Sequence, residues 1–237
     1  SSSREVADLL PSEILRLLLL QKEPQRVIEF MPDGDTVPIL FDSYDKFAQG
    51  FFAGETSDYN RMFKLMHHPD ERDSITARAM PRFSQIAFLS QMQHLNIEKE
   101  TEHLVGKPLT DIDREELKKR IKYAQIWINT YAPEDYKFEI QEVLPEVAKN
   151  FSDVQKAAVR EVLLYVEKTE QGADGAFDGQ AMHTTLHEIK EKTGIEPKDF
   201  FEAIYLSILG KKSGPKAGWF LSVMSKDFLV KRFREVV

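Results

Sequence analysis

At 237 residues the chain is long enough for one large or two modest domains, and its 42% hydrophobic and 30% charged residues exclude a disordered polymer. A net charge of −7 argues against indiscriminate coating of DNA, and the absence of cysteine excludes disulfides and thiolate-held zinc and suits a reducing, cytoplasmic setting. No apolar run nears the roughly 20 residues of a membrane helix, and the start lacks the basic-then-apolar pattern of a secretory signal.

The first 70 residues read as mixed α and β. Pro11 suits a first helical turn, and 13–20 reads as a short buried helix. Residues 26–30 alternate as a strand would, and Pro32-Asp33-Gly34-Asp35 is a turn. Thr36 resembles a helix N-cap before Val37, Leu40, Phe41, Tyr44 and Phe47, with an end near Gly50. Tyr59, Arg61, Phe63 and Leu65 alternate again, which predicts a second extended segment.

Beyond residue 72 the pattern is helical. Pro81 opens a helix carrying Phe83, Ile86, Phe88, Leu89 and Met92. Asn96 caps another that Gly106 stops. Asp113 with Glu116 resembles a capping box, and Leu117, Ile121, Ala124, Ile128 and Tyr131 share one face before Pro133. Ser152 marks the next boundary, ahead of a stripe of Val154, Ala158, Val162 and Val166. Helices are then expected over 180–192, from Pro197 to Gly210, and over 226–235 with Ser225 as cap. The expected fold is mainly α: a small α+β domain over 1–70, then a helical bundle in two parts, 71–145 and 146–237.

Catalytic signatures are missing from this sequence. It has neither a phosphate-binding Gly-x-x-x-x-Gly-Lys-Ser/Thr loop nor a dinucleotide fingerprint, and no Gly-x-Ser-x-Gly elbow. His67 and His68 are adjacent and diverge, so no shared metal site is expected. His183 and His187 do share a helix face. Thr184 breaks the His-Glu-x-x-His pattern, and the pair reads as two partly exposed histidines on a bundle helix. No residue is assigned to catalysis or to a metal.

The end of the chain is different in charge. Residues 211–237 hold seven Lys/Arg and two Asp/Glu in a chain that is acidic overall. Basic residues interleaved with aromatics suit RNA, whose phosphates take the cations while unstacked bases lie on rings. The candidate RNA-binding residues are Lys211, Lys212, Lys216, Trp219, Arg232 and Arg234.

Four segments in order carry a family resemblance. They are Leu10-Pro11-Ser12-Glu13-Ile14-Leu15-Arg16, Gln25-Arg26-Val27-Ile28-Glu29-Phe30-Met31-Pro32, Val37-Pro38-Ile39-Leu40-Phe41-Asp42-Ser43-Tyr44-Asp45, and Phe200–Gly210 followed by Gly214-Pro215-Lys216. Together they resemble class I lysyl-tRNA synthetase beyond its catalytic domain. Lys216 stands where that family usually has Arg, and Trp219 where a smaller residue or Pro is expected. The resemblance implies a noncatalytic C-terminal piece: a stem-contact domain followed by an α-helical cage that binds the anticodon of a lysine-accepting tRNA. ATP with magnesium belongs to the parent enzyme, and this piece is expected to hold no cofactor. The expected partner is tRNA, with no membrane and no DNA, and the expected state is a cytoplasmic monomer. Two alternatives stay open: a helical module that contacts protein only, and the corresponding region of a glutamyl- or glutaminyl-tRNA synthetase.

Overall fold

A computed structural model describes residues 3–21, 30–55, 58–92, 95–172 and 176–237. It divides into two compact units, Ser1–Lys137 and Phe138–Val237. Residue 70, an expected boundary, lies inside the first unit. The regular elements among the described residues are all helices, as the mainly α expectation requires.

The first unit contains α1 (Ser3–Leu9), α2 (Ser12–Leu20), α3 (Thr36–Phe52), α4 (Asp58–Met66), α5 (Phe83–Leu89), α6 (Ile97–Val105) and α7 (Asp111–Thr130). Its core gathers Leu17, Val37, Phe41, Phe63, Phe83, Ala124 and Trp127, all buried. Phe41 and Phe83 stack with ring centroids 3.9 Å apart, and the Trp127 indole donates to the Pro32 carbonyl at 3.2 Å. Asn96 caps α6 by accepting from the Lys99 amide, and Gly106 closes that helix at φ 72°.

Three local expectations need comment. The strand expected at 26–30 falls almost wholly outside the described residues. The segment around Tyr59 is helix α4, not extended chain. Its inward residues are Met62, Phe63 and Met66, a helical spacing, while Leu65 is 39% exposed; the alternation of 59, 61, 63 and 65 coincided with one side of that helix only in part. The start of α7 lies three residues earlier than expected. Thr110 is the N-cap, and Asp113 is the returning carboxylate of the capping box.

A buried charge network crosses this unit. The Arg120 guanidinium is fully buried. It grips Asp45 through two bonds (2.5 and 3.0 Å), donates to Glu116 at 2.9 Å and reaches the Pro81 carbonyl at 2.7 Å. Lys119 joins Glu116 (2.8 Å) to Glu13 (2.5 Å), so the network ties α2, α3 and α7. Burial pushes the Glu116 carboxyl upward, but Arg120 and Lys119 together hold it below its ordinary value. For Asp45 burial wins over Arg120, and its carboxyl is raised.

The second unit contains α8 (Glu146–Lys149), α9 (Asp153–Lys168), α10 (Gly179–Thr193), α11 (Pro197–Leu209), α12 (Ala217–Ser222) and α13 (Lys226–Val236). Ser152 and Gln155 form a full capping box at the start of α9, and Ser225 caps α13. The stripe Ala158, Val162 and Val166 is buried, while Val154 is 50% exposed. Pro197 opens α11, and Gly194 and Gly210 end α10 and α11 in the left-handed conformation. Helix α12, which the sequence pattern did not reveal, packs against α10.

Candidate nucleic-acid interface

The basic loop 210–216 leaves α11 through Gly210 and enters α12 at Lys216. It is held from beneath. The Tyr205 hydroxyl donates to the Pro215 carbonyl, and burial raises that hydroxyl's pKa to about 12. Gly214 lies flat on the same ring: a Cβ there would come 2.7 Å from two ring carbons of Tyr205. Only glycine fits so close an approach. The loop is thus seated on the Tyr205 ring at Gly214 and Pro215.

Lys212 is 79% exposed and pairs with Glu202 of α11 at 3.1 Å. Lys216 is the N-cap residue of α12; it is exposed and makes no ion pair to a described residue. Lys211 is half-buried on the same loop, and Trp219 is half-buried in α12. Arg234 lies on α13, 65% exposed, with its guanidinium on Glu167 of α9 at 2.6 Å. The loop carries Lys211, Lys212 and Lys216, and Trp219 follows in α12.

Arg232 is not part of that surface. It is 2% exposed. Its guanidinium donates to the carbonyls of Ser207 (2.6 Å), Gln141 (2.5 Å) and Glu142 (3.1 Å), and to Glu235 at 3.2 Å. The Gln141 amide in turn donates to the Ile208 carbonyl at 2.9 Å. Arg232 therefore clamps the last turn of α11 to the 141–142 segment, and its donors are spent inside the protein. The expectation that it touches phosphate is corrected on that ground. Its position on the α13 face toward α11, three residues after Leu229 and one before Phe233, was the signal available in the sequence: both neighbours are fully buried.

Sequence reasoning also missed the surroundings of the histidine pair. Helix α12 meets α10 through Gly218, where a Cβ would lie 2.7 Å from both Cα and Cβ of His183. The amide of Phe177 donates to the Ser222 carbonyl at 2.9 Å, closing the same junction. The glycine at 218 was the readable hint, since a glycine within a helix often marks a close approach.

Residues 115–237, just over half of the chain, match the family model described as anticodon binding domain. The chain belongs to the anticodon binding domain family. The match starts within α7 and takes in the whole second unit, with the basic loop and both of its supports. Beyond the domain itself, the chain is similar to proteins named lysine–tRNA ligase. One from Methanosarcina barkeri (strain Fusaro) is 27% identical over 99% of this chain and 45% of the relative. Lysine–tRNA ligase 1 of Methanosarcina acetivorans is 29% identical over the same shares. The Archaeoglobus fulgidus ligase is 28% identical over 98% of this chain and 42% of its own length. The chain thus spans a little under half the length of these relatives. No described helix is long and apolar enough to cross a membrane.

Proposed function

We propose that this chain is the tRNA-binding part of a lysine–tRNA ligase and binds the anticodon region of a lysine-accepting tRNA. The observation that carries the proposal is the similarity to lysine–tRNA ligases along 99% of the chain, in a protein whose anticodon binding domain carries a basic loop at 210–216. The second unit takes the anticodon, with Lys211, Lys212, Lys216, Trp219 and Arg234 at the RNA surface. Residues 1–70, the expected stem-contact region, take the adjoining stem, and the helices from residue 71 onward complete the anticodon-binding part. The relatives' ligase activity implies ATP and magnesium for the parent enzyme, and the proposal assigns neither to a residue of this chain. The protein is read as a cytoplasmic monomer.

A gel-shift titration compares a lysine tRNA with the same tRNA carrying a substituted anticodon. The expected result is tighter binding of the lysine anticodon at moderate salt. Equal affinity would remove the anticodon from the proposal. Lys216→Ala is expected to weaken binding to both and to lower the slope of log affinity against log salt by about one. Lys212 and Arg234 must exchange a carboxylate for a phosphate, so their alanine variants are expected to lose less than Lys216→Ala.

A further inference from the structure

A file of four rings runs from the core of the second unit to its surface. Phe200 is fully buried, and Phe201, half-buried, leans on it with centroids 5.2 Å apart. His187 meets Phe201 edge-on at 6.2 Å, and His183, exposed, meets His187 at 4.6 Å. Each ring has the next behind it, so the outer rings are backed by the core.

The basic loop is tied to the helices that carry this file. Glu202, which holds Lys212, follows Phe201 directly in α11. Gly218, pressed against the backbone of His183, lies two residues after Lys216. The basic loop and the histidine pair are thus joined at two points, through Glu202 beside Phe201 and through Gly218 against His183. Lys190 adds a third ammonium, 3.3 Å from His187 Nδ1.

We propose that His183 and His187, backed by Phe201, form a stacking platform for unpaired bases of the RNA whose phosphates Lys212 and Lys216 hold. The proposal rests on the tRNA-binding reading above and deepens it by naming the residues that meet bases. Rings that stack bases, flanked by cations that take the backbone, are the arrangement by which proteins hold single-stranded RNA. The loop of a tRNA supplies such bases, and a base has a π-face whatever its identity. A metal is the poorer occupant. The pair offers two ligands, no third metal-ligating group joins it among the described residues, and an ammonium already faces one ring nitrogen.

The test uses the whole chain and a lysine tRNA transcript with 2-aminopurine in its anticodon loop. His183→Ala and His187→Ala are expected to weaken binding about ten-fold each, the effect of removing one stacking ring. The salt slope should stay that of the wild type, because no phosphate contact is lost. His187→Phe should keep most of the affinity. The fluorophore should be quenched on binding the wild type and released in His187→Ala. Melting temperatures of these surface variants should match the wild type. Wild-type protein that binds tRNA while both alanine variants bind equally well overturns the platform and leaves the function standing. Wild-type protein that binds no tRNA overturns both. A loss of wild-type affinity on adding a chelator, equal to that of the variants, replaces the platform with a metal site.

Discussion

The two units each bury an arginine, and they satisfy it by opposite means. In the first unit Arg120 is neutralised by carboxylates, Asp45 and Glu116, with Lys119 and Glu13 extending the chain of charges. In the second unit Arg232 is satisfied chiefly by backbone carbonyls of residues 141, 142 and 207. The first arrangement cancels charge inside the protein and stakes stability on keeping every member. The second uses one side chain to fasten two pieces of backbone, the 141–142 segment and the helix that leads into the basic loop. Charge met by charge makes a closed internal network, whereas charge met by peptide dipoles makes a strut.

The largest expected effect tests the first half of this contrast. Arg120→Met leaves Asp45 and Glu116 buried without their main partner, at a cost of about 3–5 kcal/mol. Denaturant unfolding followed by Trp127 fluorescence measures it. Replacing all three residues by apolar ones of similar volume should recover most of the loss, because the desolvation of the charges disappears with them. A triple variant as unstable as the single one would show that Arg120 acts through Pro81 and not through the carboxylates. Next in size, Arg232→Met strands carbonyls, not charges, and is expected to cost about 2 kcal/mol, near the value of a hydrogen bond from a charged donor. Its tRNA salt slope should equal that of the wild type, in contrast with Lys216→Ala. A slope lowered by one in Arg232→Met would return that residue to the phosphate-binding set.

Much of the second unit was legible in the sequence, because its punctuation is local. Ser152, Pro197, Gly210 and Ser225 each act within one helical turn, and each stands at the boundary that it predicted. The basic loop was legible as charge. Its support was not, since Tyr205 under Gly214 and Arg232 on the 141–142 carbonyls are contacts across many residues that no periodicity encodes. In the first unit, α4 was misread because four alternating residues also fit part of a helix face; the pair Phe63 and Met66 decided the period only once α3 covered it. The capping box of α7 was placed three residues late for a related reason. Asp113 resembles an N-cap in sequence, yet its carboxylate turns back to Thr110 and across to Ala79, a residue 34 positions earlier.

Asp113 extends the same contrast into the first unit, because it is a buried charge met mainly by backbone. Burial pushes its carboxyl up, but the amides of Ala79 (2.6 Å) and Thr110 (3.0 Å), the Thr110 side chain and Lys107 outweigh it and bring the pKa down to about 2, from 3.8. A depressed folded-state value means that ionised Asp113 stabilises the fold above the ordinary carboxylate range. That contribution, about 2 kcal/mol, is lost as pH falls from about 4 toward 2. Asp45, with its raised carboxyl, has the opposite sign and offsets part of the acid limb of the whole unit. The comparison of wild type with Asp113→Asn isolates the backbone-held charge. The variant should be less stable by about 2 kcal/mol at neutral pH and should approach the wild type near pH 2. A gap that persists undiminished at pH 2 would mean that Asp113 acts through shape and neutral hydrogen bonds alone, and would leave Arg232 as the buried charge held chiefly by peptide dipoles.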